Sequence, residues 1–129
     1  MAKLIISTNK APSAIGPYSQ AVRVVGSLTF TSGQIPLDPI TGNMVSDNFN
    51  DQAIQTLKNI EGIINDRNCK LSDIVKLTVY LVDLSNFDML NQIFKEFFEH
   101  SYPARSVVEV SKLPKNSQIE IEAIFHDEN

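Results

Sequence analysis

The stretch from Ile74 to Val82 constrains the fold more than any other. Val75, Leu77, Val79 and Leu81 fall on one face, and Ile74, Lys76, Thr78, Tyr80 and Val82 on the other. A period of two is the mark of a β-strand. Amphipathic segments of helical period stand on both sides of it in the chain. Upstream, Ala53, Leu57, Ile60 and Ile64 recur at i, i+4, i+7 and i+11, which predicts a helix from about Asn50 to Arg67. Gly62 lies inside it at a cost of about 1 kcal/mol relative to alanine. It is either merely tolerated or a point of close packing on a sheet. Downstream, a helix from about Asn86 to His100 is expected, with Ser85 as N-cap and Asp88 three residues on. Phe87, Leu90, Ile93, Phe94, Phe97 and Phe98 form its apolar face, read as core against a sheet. His100 closes that helix, where a polar or positive side chain suits the C-terminus.

Two strand pairs complete the pattern. Ala21 to Val25 and Leu28 to Ser32 read as a hairpin, with Gly26-Ser27 as a two-residue turn and the glycine at positive φ. Arg105 to Lys112 and Gln118 to His126 read as a second pair around the turn Leu113 to Ser117. A short strand near Lys3 to Ile6 is also allowed, and His126, close to the terminus, is expected to be exposed. Two helices on one face of a mixed sheet give an α+β layer structure. At 129 residues the chain makes one domain, 1–129.

Several function classes fall away on composition. No apolar run approaches the roughly 20 residues a membrane span needs, and the N-terminus has neither the apolar length of a signal peptide nor the arginines of a transit peptide. The single cysteine, Cys69, has no internal disulfide partner, which fits a reducing cytoplasm. One cysteine and two histidines argue against a zinc site. A net charge of −4 with only three arginines, Arg23, Arg67 and Arg105, argues against nucleic-acid binding. Ser19 and Ser32 lack a nucleophile elbow, and phosphate-binding and dinucleotide fingerprints are absent.

The face of the sheet away from the helices needs its own explanation. In the last strand Ile119, Ile121, Ala123 and Phe125 share one side, and Glu120, Glu122, Ile124 and His126 the other. In the strand before it, Arg105, Val107, Glu109 and Ser111 alternate with Ser106, Val108 and Val110. A surface that mixes β-branched residues with isolated charges suits a subunit interface carrying polar sites. Arg105 is the most informative charge, since arginine is almost never buried unpaired. It either forms a structural ion pair with Glu109, Glu120 or Glu122, or clamps a ligand carboxylate through its planar fork. In a hairpin about Lys115, Arg105 and Glu120 lie five residues apart, roughly 16 Å at about 3.3 Å per residue. They then meet only when different subunits supply them. The first hairpin likewise brings Tyr18 and the amides near Gly33 toward one cavity, although turn chemistry alone also accounts for both segments.

The segments Ala14-Ile-Gly-Pro-Tyr-Ser-Gln20, Thr31-Ser-Gly-Gln-Ile-Pro36, Asp73-Ile-Val-Lys76, Pro103-Ala-Arg-Ser106, Val108-Glu-Val110, Leu113-Pro114 and Ile119-Glu-Ile-Glu-Ala-Ile124 run through the whole chain in order. Together they resemble the RidA family (reactive intermediate deaminase A, or YjgF). The resemblance implies a chorismate-mutase-like α+β fold and a homotrimer with clefts between subunits. It implies hydrolysis of 2-aminoacrylate and 2-iminopropionate to 2-oxo acids and ammonia, without a cofactor or metal. Arg105 is similar to the family arginine that grips the substrate carboxylate, and Glu120 to the carboxylate beside the attacking water. Tyr18, Ser32, Gly33 and Asn91 match cleft residues. Val107 stands where many members carry cysteine, which leaves substrate preference open. Two other functions compete: a trimeric sensor of small carboxylates without turnover, and a ribonuclease or translation inhibitor, which the acidic charge opposes.

Overall fold

The computed structural model describes residues 3–99 and 101–129. Six strands and two α-helices follow in the order β1 (Lys3–Ile6), β2 (Ala21–Val24), β3 (Leu28–Phe30), α1 (Phe49–Asp66), β4 (Ile74–Leu81), α2 (Phe87–Phe97), β5 (Ala104–Glu109) and β6 (Ile119–His126). The two helices and a mixed sheet of order β3-β6-β4-β5 make the α+β layer structure expected. His100, assigned above to the end of the second helix, lies outside the described residues.

The core fills the space between helices and sheet. Leu57, Ile60 and Ile64 of α1 and Leu90, Ile93 and Phe94 of α2 are buried against Leu77, Val79, Leu81, Ile119, Ile121 and Phe125. Asn48 caps α1 by accepting a hydrogen bond from Asp51 N at 3.1 Å. At the second helix the cap expected from Ser85 is replaced. A 3-10 turn over Leu84–Asn86 leads into α2, and Asp83 accepts from Ser85 N at 2.9 Å. Gly62 faces open space, so close packing on the sheet is not its role.

Both expected hairpins are corrected. β2 pairs with β1 in a separate two-stranded sheet, while β3 pairs antiparallel with β6. Gly26 does take a positive φ, +125°, but it carries the chain from one sheet into the other. β5 pairs parallel with β4, and β6 pairs antiparallel with β4 on its other side. A central strand has two rows of backbone groups to satisfy, and β4 satisfies both with the strands read as partners of each other. The connection between them is pinned at the end of β4 by Val110 N to Leu81 O and Val82 N to Gln118 O.

Register assigns the faces. A bulge between Ile74 and Lys76 turns Ile74 onto the helix-covered side with Leu77, against the simple alternation. Arg105 is level with Leu77, and Leu77 with Ala123, so Arg105 also lies on the helix-covered side, at the sheet edge. Glu120 and Glu122 are level with Tyr80 and Thr78 on the open face. That open face carries Phe30 at 67% exposure and Val108 at 44%, an apolar surface no element of this chain covers among the described residues.

Candidate active site

Arg105 is placed by a strap laid along the edge of β5. Ser19 forms a parallel bridge to Ala104, its N–H donates to Pro103 O at 3.0 Å, and its hydroxyl donates to Tyr102 O. Pro17 is buried. The sharp turn Tyr18 N to Gly16 O, 2.8 Å, then swings the Tyr18 ring over the sheet edge. The Tyr18 hydroxyl accepts from Ile15 N at 3.3 Å.

Three rings surround the guanidinium. Arg105 Cζ is 5.5 Å from the centroid of Tyr18, 5.6 Å from Phe87 and 5.2 Å from Phe94. Such rings attract a cation through their quadrupole without neutralising it. Burial pulls the Arg105 pKa below its usual value, an effect the neighbouring Tyr18 partly opposes. Nη1 is buried and has no hydrogen-bond partner among the described residues.

The structural ion pair considered for Arg105 is therefore not formed, and each proposed acid lies elsewhere. Glu109 accepts from Leu84 N at 2.8 Å, and Glu122 from the Tyr80 hydroxyl at 3.0 Å. Glu120 lies against Gly33. The arrangement leaves a half-buried cation with its Nη1 unmatched, a geometry that can receive a carboxylate.

Asn91 and Val107 belong to the same region. Asn91 stands on α2 between Phe87 and Phe94 at i+4 and i−3, so all three share a helix face. Its Oδ1 is buried without a partner. Val107 lies two residues beyond Arg105 on the same side of β5 and packs against the core. Phe87 was legible only as one member of an aromatic stripe. Sequence reasoning gave that stripe wholly to the core, yet Phe87 is 36% exposed and faces the arginine.

Glu120, Ser32 and Gly33 form a second group. Thr31 N donates to Ala123 O and Gln34 N to Ile121 O, so Ser32 and Gly33 together oppose one residue of β6. This is a β-bulge, a device that re-aims a chain locally. A Cβ on Gly33 would stand 2.1 Å from Glu120 Oε2, so only glycine allows the carboxylate to rest on this backbone.

The two groups do not meet within one chain. Arg105 and Glu120 are three residues and two strand spacings apart, roughly 14 Å at about 3.3 Å per residue and 4.8 Å per strand. They also point to opposite faces. Tyr18 joins the Arg105 group, which corrects its expected approach to Gly33.

His126, expected to be exposed, is 6% exposed; its Nε2 lies 2.8 Å from Val25 O and 3.0 Å from Glu128 Oε1. Among the described residues no group of three or more His, Cys, Asp or Glu side chains could hold a metal, and no helix is long and apolar enough to cross a membrane. A cavity of about 890 Å³ between α1 and the 33–42 loop includes neither Arg105 nor Glu120.

Residues 8–126 match the protein family described as Endoribonuclease L-PSP. The chain is 47% identical over 120 residues to the human 2-iminobutanoate/2-iminopropanoate deaminase, covering 93% of this chain and 87% of that one. It resembles the crystal structure of Escherichia coli TdcF with bound serine at a TM-score of 0.74 and 44% identity, over 95% and 98% of the two chains. It also resembles RidA from an Antarctic Psychrobacter at a TM-score of 0.75 and 43% identity, again over 95% and 98%.

Proposed function

The chain belongs to the Endoribonuclease L-PSP family, which includes the RidA proteins, and from that premise we propose that it is an imine/enamine deaminase acting on small 2-imino acids. The substrates are of the 2-iminopropionate and 2-iminobutanoate type, and the products are 2-oxo acids and ammonia. The observation that carries this reading is Arg105, a half-buried guanidinium with a buried, unpartnered Nη1, held by three rings with no acid beside it.

The chemistry follows from the two groups. Arg105 takes the substrate carboxylate in its fork and fixes the imine carbon. Glu120, with Tyr18, orients a water and accepts its proton as the oxygen attacks that carbon. The electron pair of the C=N bond moves to nitrogen, which is protonated. The tetrahedral adduct then collapses, C=O forms and ammonia leaves. An enamine is first protonated at carbon to give the imine. Nothing in this sequence calls for a cofactor or a metal.

Because Arg105 and Glu120 face opposite ways on one chain, the site is assembled between copies. We assign it to a homotrimer in which one subunit brings Arg105, Tyr18, Asn91 and Val107 and the next brings Ser32, Gly33 and Glu120. The exposed apolar side of the sheet supports such an assembly. A cytoplasmic location suits the lone, buried, unpaired Cys69.

The test is the decay of 2-iminopropionate generated in place by an amino-acid oxidase. Wild type and Arg105→Ala are compared, with sedimentation of both. Acceleration by wild-type trimer and none by a variant trimer of equal size is the expected result. A full rate in the folded variant sinks the clamp. No acceleration by the wild-type trimer would instead favour a carboxylate sensor.

A further inference from the structure

Arg105 Nη1 and Asn91 Oδ1 are buried polar atoms without a hydrogen-bond partner among the described residues. Native proteins keep few such groups, and each calls for an explanation. Both residues stand beside the same two aromatic rings. Phe87 and Phe94 flank Asn91 on one helix face, and both rings lie over the Arg105 guanidinium at 5.6 and 5.2 Å. One atom is a donor and the other an acceptor.

Their requirements match one kind of small molecule, with a carboxylate on one carbon and an N–H on the next. We infer that Asn91 Oδ1 accepts a hydrogen bond from the 2-nitrogen of the ligand while Arg105 holds its carboxylate. Asn91 is then a specificity residue that favours 2-imino and 2-amino acids over 2-oxo acids of the same carbon skeleton. This rests on the clamp proposed for Arg105 above. A 2-oxo acid offers only acceptors at that carbon, so its carbonyl oxygen would face the Asn91 oxygen in a desolvated place, leaving both unsatisfied. Hydrolysis therefore converts a matched ligand into a mismatched one, and the product is released rather than retained.

The experiment is titration calorimetry of the full-length protein with 2-aminobutanoate and 2-oxobutanoate. Wild type, Asn91→Leu and Asn91→Ala are compared. Both substitutions are expected to weaken 2-aminobutanoate about tenfold, the value of one hydrogen bond to a buried acceptor, and 2-oxobutanoate less than about twofold. The amino-to-oxo affinity ratio then falls about tenfold. Equal weakening of both ligands overturns the inference and leaves Asn91 as a support for Arg105. An unchanged ratio, or a fall in the leucine variant alone, overturns it as well, the latter by assigning the effect to crowding. If wild type binds neither ligand, the clamp itself fails. If wild type binds both and the ratio ignores Asn91, only the specificity role is lost.

Discussion

Arg67 and Arg105 are the same residue in opposite circumstances. Arg67, just past the end of α1, is about half exposed, yet it is engaged at two of its nitrogens. Its Nε meets Asp127 at 2.7 Å and its Nη2 donates to Asn129 O at 2.6 Å. Asp127 also accepts from Thr29 at 3.2 Å and from Asn129 N at 2.9 Å, which clasps the C-terminus to α1 and β3. Arg105 is the more buried of the two, and its company is three rings and no carboxylate. Stability alone would pair the buried cation and leave the exposed one to water. The inversion separates a charge matched within the molecule from one left to be matched by a ligand.

The largest effect expected from breaking this contrast is at Arg105. Arg105→Ala should lower imine hydrolysis at least about a hundredfold, through loss of the charged, two-point hold on the substrate. Thermal stability should hold or rise, because an uncompensated buried charge is removed. A matching loss of stability in calorimetry would mean the arginine is structural after all.

The next largest tests the other group. Gly33→Ala puts a methyl where Glu120 Oε2 now rests, 2.1 Å away. The carboxylate must move, and activity should fall about tenfold or more, since small misplacements of a base are costly. The same change should leave 2-oxobutanoate affinity less affected than Arg105→Ala does. Equal loss of binding in both variants would contradict the division of the site into a clamp and a base.

A smaller effect is expected at the clasp. The Arg67 guanidinium and hydrogen bonds from Asn129 and Thr29 hold the Asp127 carboxyl at a pKa of about 2, below its usual value. A carboxylate depressed on folding stabilises the protein above its unfolded pKa. That contribution is lost as pH falls from about 4 toward 2. The gap in melting temperature between wild type and Asp127→Asn should therefore be full at pH 7 and close across that window. Added salt should narrow it at neutral pH, because Arg67 is half exposed. Activity at pH 7 should change little, in contrast to Arg105→Ala.

The smallest effect is expected at Val107. Val107→Cys replaces one small apolar side chain by another against the same core neighbours and should alter the rate by less than about threefold. A larger gain would make the thiol a participant in the chemistry rather than part of the wall.

What the chain determined locally is legible in it. The strand period of Ile119 to His126, the helical stripe Leu57, Ile60, Ile64 and the isolation of Arg105 among apolar neighbours are properties of short segments, and each holds in the fold. Strand partnership is not local. β4 could have been flanked by either of its neighbours in sequence, and only the need to satisfy both of its edges places β5 and β6 on opposite sides of it. The bulge at Ile74 shifts a face by one residue, which no alternation pattern announces. Phe87 and Leu90 look alike as members of one apolar stripe. Tertiary packing buries Leu90 completely and turns Phe87 toward a guanidinium. The sequence by itself therefore determined which segments are strands and helices and that Arg105 is an unusual charge, because periodicity and composition act within a few residues. Whether that charge meets an acid or a ligand was decided only by the assembled sheet, because it depends on what residues far apart in the chain bring within about 6 Å of it.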